Sequence, residues 1–315
     1  MIEVSVIIVG YYGDDWLKEC LKSLVISSRD KLHLILANNF GNSNLKSLNL
    51  ESYESEILEL HGPIGFAHSN NLSLVSCSVL KDYIVFLNQD TISQPLWIDP
   101  CLSALKNDHT IGAISPLIRN YDDTGWDPSF LDCLDKHDKL ALDQSNLLPE
   151  LIYSEHAPAP ALIVRKSVLG LVGPFDPLYG SYYEDYDLCA RIRKAGYRIG
   201  FSTKARIQHF SGSATNNDDR RKKRMRQIIR NRGIYKIRHQ PGSRFSKALS
   251  LFCTDFPLRL LRSLLHTPSS QPPLTVLSAY KDLFGEMSRL LSESKDKQLF
   301  MDYLQSIGWS NSQHF

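Results

Sequence analysis

Two acidic sites and one histidine stand out by residue type and spacing. Glu184 and Asp185 lie in Tyr-Tyr-Glu-Asp-Tyr-Asp-Leu-Cys-Ala-Arg, residues 182–191. Leu188, Cys189 and Ile192 are spaced i, i+1, i+4, with Arg191, Arg193 and Lys194 turned outward and Gly196 as a stop. That spacing predicts a helix whose first turn holds both acids. The free N–H groups and the dipole there favour ionised carboxylates, so an acid here reads as a helix cap until the second acidic site and His209 are set beside it. The like charge of Glu184 would raise the pKa of Asp185. Asn88-Gln89-Asp90-Thr91 follows Asp82-Tyr83-Ile84-Val85-Phe86-Leu87, a run short and apolar enough for a buried parallel strand. Ligands collect at the carboxyl ends of strands in open α/β sheets. Asp90 there either holds a divalent cation against a diphosphate or caps the helix starting near Pro95. Carboxylate oxygen suits Mg²⁺ or Mn²⁺, and an imidazole co-ligand tilts the choice towards Mn²⁺.

The elements that must position these groups alternate along the chain. Strands are expected at Val4–Val9, Leu32–Ala37, Ile57–Leu60, Tyr83–Leu87, Ile111–Ser115 and Ala161–Val164. Helices are expected at Asp14–Ile26 and from Gly65 to Val79, with a turn-rich loop at 38–42. The order implies an α/β fold with a mostly parallel sheet covered by helices. Residues 119–138 carry Asp122, Asp123, Asp127, Asp132, Asp135 and Asp138 with Gly and Pro, which reads as a solvated, lid-like loop.

The chain's 315 residues allow one large α/β domain plus a helical appendix, and 43% apolar with 22% charged residues describes a globular protein. The net charge of +2 excludes little. Six scattered cysteines lack any Cys-x-x-Cys pair and read as reduced thiols of a cytoplasmic protein. The opening Met1-Ile2-Glu3 runs straight into an apolar strand, so no leader is expected, and no run approaches eighteen apolar residues. Gly10-Tyr11-Tyr12-Gly13 stands where a dinucleotide or P-loop fingerprint would be, and no nucleophile elbow or His-Glu-x-x-His occurs.

Several motifs in order resemble the inverting GT-A-fold glycosyltransferases of family 2, in their rhamnosyltransferase-like branch. They are Gly65-Phe66-Ala67-His68-Ser69-Asn70-Asn71, Phe86-Leu87-Asn88-Gln89-Asp90-Thr91, Gly173-Pro174-Phe175-Asp176, Glu184-Asp185-Tyr186-Asp187 and His209. The resemblance spans about residues 3–240. It implies a GT-A-like catalytic domain over 1–215 and a helical extension over 216–315. It implies Asp185 as catalytic base beside Glu184, and Asp90 with His209 as ligands of Mn²⁺ or Mg²⁺. Tyr11, Asn38, Gly65, Phe66, Asn71, Asn88 and Asp90 would contact the nucleotide sugar. The implied donor is deoxythymidine-diphosphate rhamnose or a uridine-diphosphate sugar, and the acceptor a glycan or lipid-linked glycan of a cell-surface polysaccharide. The chain departs from the family where Ala37 replaces the base-reading Asp, Tyr12 replaces Asn and Asn88 replaces the first Asp of the metal motif. The other readings are a nucleotidyltransferase, which would need a basic glycine-rich loop after the first strand, and a non-catalytic scaffold.

Residues 217–240 form a strongly basic helix, and Phe252 to Leu265 alternate leucines with Arg259 and Arg262. Such helices meet either the inner face of the plasma membrane, the catalytic domain or a second subunit. Nucleic acid is not expected as a partner, because aromatic interleaving is sparse and no binding motif occurs.

Overall fold

The computed structural model describes residues 3–40, 45, 48–142, 148–210, 218–265 and 271–309. In chain order these form β1 (Val4–Tyr11), α1 (Asp14–Leu24), β2 (His33–Phe40), β3 (Glu54–Glu59), α2 (Phe66–Ser76), β4 (Tyr83–Asn88) and β5 (Thr91–Ser93). Then come α3 (Ile98–Asn107), β6 (Ile111–Asn120), α4 (Pro128–Leu131), α5 (Lys136–Leu142), β7 (Leu151–Ser154), β8 (Ala161–Arg165) and α6 (Lys166–Val172). They are followed by α7 (Glu184–Lys194), β9 (Arg198–His209), α8 (Asp218–His239) and α9 (Arg244–Ser250). A π-helical turn, Leu251–Asp255, leads into α10 (Phe256–Leu264), α11 (Pro273–Gly285), α12 (Met287–Leu290) and α13 (Glu293–Ser306).

β1 is Val-Ser-Val-Ile-Ile-Val-Gly-Tyr, buried along all but its last residue. Such a run suits the middle of a parallel array with both faces covered. The order β3-β2-β1-β4 is parallel throughout. Beyond β4 the sheet is mixed rather than mostly parallel: β8 pairs antiparallel with β4 and β6, β6 pairs parallel with β9, and β5 and β7 pair antiparallel with β9. β4 and β8 are separated by residues 89–160, a detour long enough to free the direction of return. The register sets the site. Val9 faces Asn88 across β1 and β4, and Thr91 faces His209 across β5 and β9. The two ends that carry Asp90 and His209 are therefore neighbours.

Residues 119–138 are a solvated loop only in part: 122–124 are exposed, but the middle of the segment is anchored in the core. Trp126 bridges to Arg119, Phe130 is fully buried, and Asp127 is fully buried as the cap of α4. Asp127 accepts from the backbone of Ser129 and Phe130, which is what ends the loop.

The tail does not stand apart from the sheet. Ile229, Ile234, Ile237, Leu251, Val276 and Leu283 form a second core that includes Tyr179 of the sheet half. Gly233 lets α8 approach α11, since a Cβ there would lie 2.5 Å from Leu283. α13 returns to the main core through Leu304, and Trp309 beyond it is buried there too. No helix among the described residues is long and apolar enough to cross a membrane. All six cysteines are free thiols, five of them buried.

A buried ion network joins the tail to the sheet half. The Arg238 guanidinium lies 2.8 Å from Asp176 and 3.5 Å from Asp187, and pairs also with Asp296. Arg191 and His239 complete Asp187, and Arg244 and Arg289 complete Asp296. Burial alone would raise the Asp187 carboxyl, but Arg191, His239 and Arg238 hold it far below the usual range. Removing one partner of such a set strands the others without water. Arg238→Ala should therefore cost about 3–5 kcal/mol of unfolding free energy in urea. Because the folded pKa of Asp187 is depressed, its contribution is present above about pH 4 and lost as the pH falls. An Arg238→Ala loss below about 1 kcal/mol would show that the network is dispensable.

Candidate active site

A cavity of about 610 Å³ opens at the carboxyl ends of β1, β2 and β4. Tyr11, Gly65, Phe66, Asn88, Asp90, Glu184, Asp185 and His209 all line it. Asn38 and Asn71, expected at the nucleotide sugar, do not. The Asn38 amide donates to Glu59 at 2.7 Å. Strand β2 runs on through Phe40 instead of turning at 38, so it is Asn39 that lines the cavity. Asn71 is fully buried and bonds both N–H and C=O of Phe175 and the Tyr303 hydroxyl, fixing α2 to the core.

Asp90 and His209 are brought together by the β5–β9 register, with Nε2 of His209 3.5 Å from Asp90 Oδ1. Nδ1 of His209 lies 3.0 Å from Asp127 Oδ2. Burial works against the imidazolium, but hydrogen bonds from Asp127 and Asp90 prevail and lift its pKa to about 9. A carboxylate, an imidazole and a second carboxylate orienting that imidazole make a donor set that fits a divalent cation. A cation held by Asp90 and Nε2 would take the place of the proton between them. Gln89 accepts from Tyr11 N–H and donates to the carbonyls of Tyr11 and Tyr12, tying the end of β1 to this turn. A second group, Asp135, His137 and Asp138, has ligand-type atoms within 4.8 Å at the start of α5. There Asp135 caps the Asp138 N–H, and none of the three lines the cavity.

Asp185 sits at the start of α7. Its Oδ2 accepts from Ala159 N–H at 3.0 Å and its Oδ1 from Tyr186 N–H at 2.9 Å. Burial raises its carboxyl, and those backbone bonds only partly oppose it. The expected tuning by Glu184 is reversed. Glu184 is the more buried residue and is pushed well above the usual range, first by burial and then by the charge of Asp185. Its Oε2 has no hydrogen-bond partner among the described residues. Burial therefore acts on both acids, and only Asp185 has backbone N–H bonds to oppose it.

The backbone before α7 is strained, with Tyr182 at φ +70° and Tyr183 at φ +72°. Two consecutive left-handed tyrosines need an external hold. Asn231 of α8, fully buried, donates to the carbonyls of Tyr179, Ser181 and Tyr182 at 2.7–2.9 Å. Gly65, at φ +90°, lets the start of α2 close on the same loop, with Ala67 N–H donating to Gly180 at 2.8 Å.

For the basic helix, one of the expected settings applies, packing against the sheet half. Arg220, Lys223, Arg224, Gln227 and Ile228 fall on one helical face, and that face lines the cavity. Arg220 stacks over Tyr12 at 4.1 Å and Arg224 over Tyr182 at 5.4 Å. The spacing 220, 223, 224, 227, 228 was a signal available in the sequence. Asp127, Asn39 and Asn231 had none, because each acts through a partner distant along the chain.

Residues 5–153 match the family model described as Glycosyl transferase family 2. This match and the relatives below support a family 2 glycosyltransferase. Among curated proteins it is similar to N-acetylglucosaminyl-diphospho-decaprenol L-rhamnosyltransferase of Mycobacterium tuberculosis, with 25% identity over 241 residues, 68% of this chain and 78% of the relative. It is also similar to rhamnosyltransferase WbbL of Escherichia coli, with 25% identity over 223 residues, 66% of this chain and 83% of that protein. Among solved structures, the mannosyltransferase PcManGT from Pyrobaculum calidifontis, in complex with GDP-Man and Mn²⁺, shares the fold. Its TM-score is 0.56 at 15% identity, covering 99% of this chain and 87% of that one. The family 2 transferase therefore has a GT-A-like fold and glycosyltransferase activity.

If Asn231 holds the loop, Asn231→Ala should lower kcat by about 10- to 100-fold, since small misplacements at a reacting group carry that cost. Donor affinity, set mainly by the other walls, should change less than about threefold. Equal losses in donor binding and kcat would show that Asn231 serves only the fold.

Proposed function

We propose that this transferase moves a sugar, rhamnose in the reading favoured by its relatives, from a nucleoside-diphosphate donor to a hydroxyl of a lipid-linked glycan, with inversion and with a divalent cation. The observation that carries the proposal is that Asp185 and the Asp90–His209 pair line one cavity. Its volume lies within the roughly 300–1,000 Å³ that small-molecule sites take.

In this reading the acceptor hydroxyl lies against Asp185, whose two backbone bonds fix the carboxylate for in-line attack. As the acceptor oxygen bonds the anomeric carbon, its proton passes to Asp185 and the anomeric C–O pair leaves with the diphosphate. Burial makes this aspartate a stronger base than one in water, and positioning supplies much of the rate. Mn²⁺ or Mg²⁺ held by Asp90 and His209 would neutralise charge on the leaving diphosphate. Arg220, Lys223 and Arg224 face the same space and add positive charge from the other side. Arg224 Nε has no partner among the described residues, as a donor reserved for an anion would. Glu184, which burial pushes towards its protonated form, lines the same cavity with one oxygen unpartnered among the described residues. A nucleotidyltransferase reading gains nothing here, because the basic groups come from α8 and not from the loop after β1.

Asp185→Asn should lower kcat at least about 100-fold with donor affinity retained, the range expected of a general base. The rate should rise with pH as Asp185 ionises, with its midpoint above the ordinary value of about 3.9. Turnover near wild type in Asp185→Asn would reassign the base. Asp90→Ala and His209→Ala should each abolish the Mn²⁺-dependent part of nucleoside-diphosphate binding, read by calorimetry. Asp127→Asn should weaken it about 10- to 100-fold, as loss of a ligand-orienting carboxylate does. Full binding and activity in excess chelator would remove the metal from the reading.

A further inference from the structure

We propose that α9, α10 and the start of α11 form a docking face for an anionic lipid surface, placed to bring a membrane-held acceptor to the cavity. The inference rests on the lipid-linked acceptor proposed above, but its surface is distinct from the basic face of α8. On α10, Leu258, Leu261 and Leu265 recur at i, i+3, i+7 and are all exposed, Leu265 at 66%. Phe245 and Leu249 repeat the pattern at i, i+4 on α9, and Leu274 in the first turn of α11 is 77% exposed. A helix with leucine and phenylalanine on one side and cations beside them is suited to lie in the headgroup region.

Charge selects lipid over a second copy of the chain. Between Pro241 and Gly285 stand Arg244, Lys247, Arg259, Arg262 and Lys281 against Asp255 and Asp282. Asp255 is neutralised by Arg259 and Asp282 by Arg226 of α8. Arg244 is taken up by Asp296 in the buried network, and Lys247, Arg262 and Lys281 leave the segment net positive around an apolar face. A protein–protein interface tends to lose lysine from its core, whereas anionic headgroups attract it. The face is also continuous with the active site. Lys223 lines the cavity and also a cleft shared with Lys222, Arg226 and Leu274. That cleft, which Asp219 also lines, sets lysines of α8 beside the apolar face at Leu274.

The test is flotation of the full chain with vesicles of phosphatidylglycerol and phosphatidylcholine, and with phosphatidylcholine alone, without donor or acceptor. Wild type should float with the anionic vesicles, and Leu258→Glu/Leu261→Glu should bind at least tenfold less with an unchanged melting temperature. A second pair, Leu249→Ser/Leu274→Ser, repeats the test on the neighbouring helices. Transfer to a short-chain soluble acceptor should survive both pairs, while transfer to a long-chain acceptor in vesicles should fall at least tenfold. Wild type remaining unbound, or equal binding by wild type and both pairs, would overturn the proposal. So would a wild-type dimer that both pairs convert to monomer, since a second copy would then cover the face. Vesicle binding without any glycosyl transfer would leave the docking face standing and sink the enzymatic reading instead.

Discussion

Arg238 lies among three carboxylates that come from three separate parts of the chain, Asp176 before α7, Asp187 within it and Asp296 in α13. None of these charges can exist in its buried position alone, because the desolvation of each is repaid only by the others. The requirement is geometric as well as energetic. It sets α8 against α7, and α8 carries both the Asn231 amide that grips the left-handed tyrosines and the cations that face the cavity. The direction in which Asp185 points is thus decided by an arginine in the tail.

Within the cavity, burial separates groups that look alike on paper. Glu184 and Asp185 are adjacent acids, yet only Asp185 receives two backbone N–H bonds. Those bonds oppose the effect of burial on Asp185, whereas Glu184, with one oxygen unpartnered among the described residues, is pushed well above the usual range. His209 follows the same logic with opposite sign, since two carboxylates outweigh its burial. Neighbours and solvation set these roles more than residue type does.

Much of the sheet was legible because buried strands write their burial into consecutive residues, as Val4–Val9 and Tyr83–Leu87 do. The chemical residues that were legible, Asp90, His209, Glu184 and Asp185, sit at the ends of such elements, where a motif and a position coincide. What was missed depends on contacts made at a distance. The extension of β2 by three residues beyond Ala37 exchanged Asn38 for Asn39 at the cavity, because successive strand residues point to opposite faces. Asp127 read as one of six loop aspartates, and nothing local distinguishes the one that meets a histidine 82 residues later. Strand direction beyond β4 was likewise hidden, since a long detour leaves no local mark of the direction of return.

The Tyr303 hydroxyl bonds His68 and Asn71, residues more than 230 positions earlier. On a ribosome, chains grow from the N-terminus, so α2 emerges long before the group that satisfies its buried amide. The N-terminal half must wait with an incomplete core until the last helix arrives, and contacts of such long range are slow to form. The wall of the cavity supplied by α8 is likewise made late. Competence for catalysis is in this way tied to translation of α13, and a polypeptide released before it would carry every motif of the N-terminal half without a finished site.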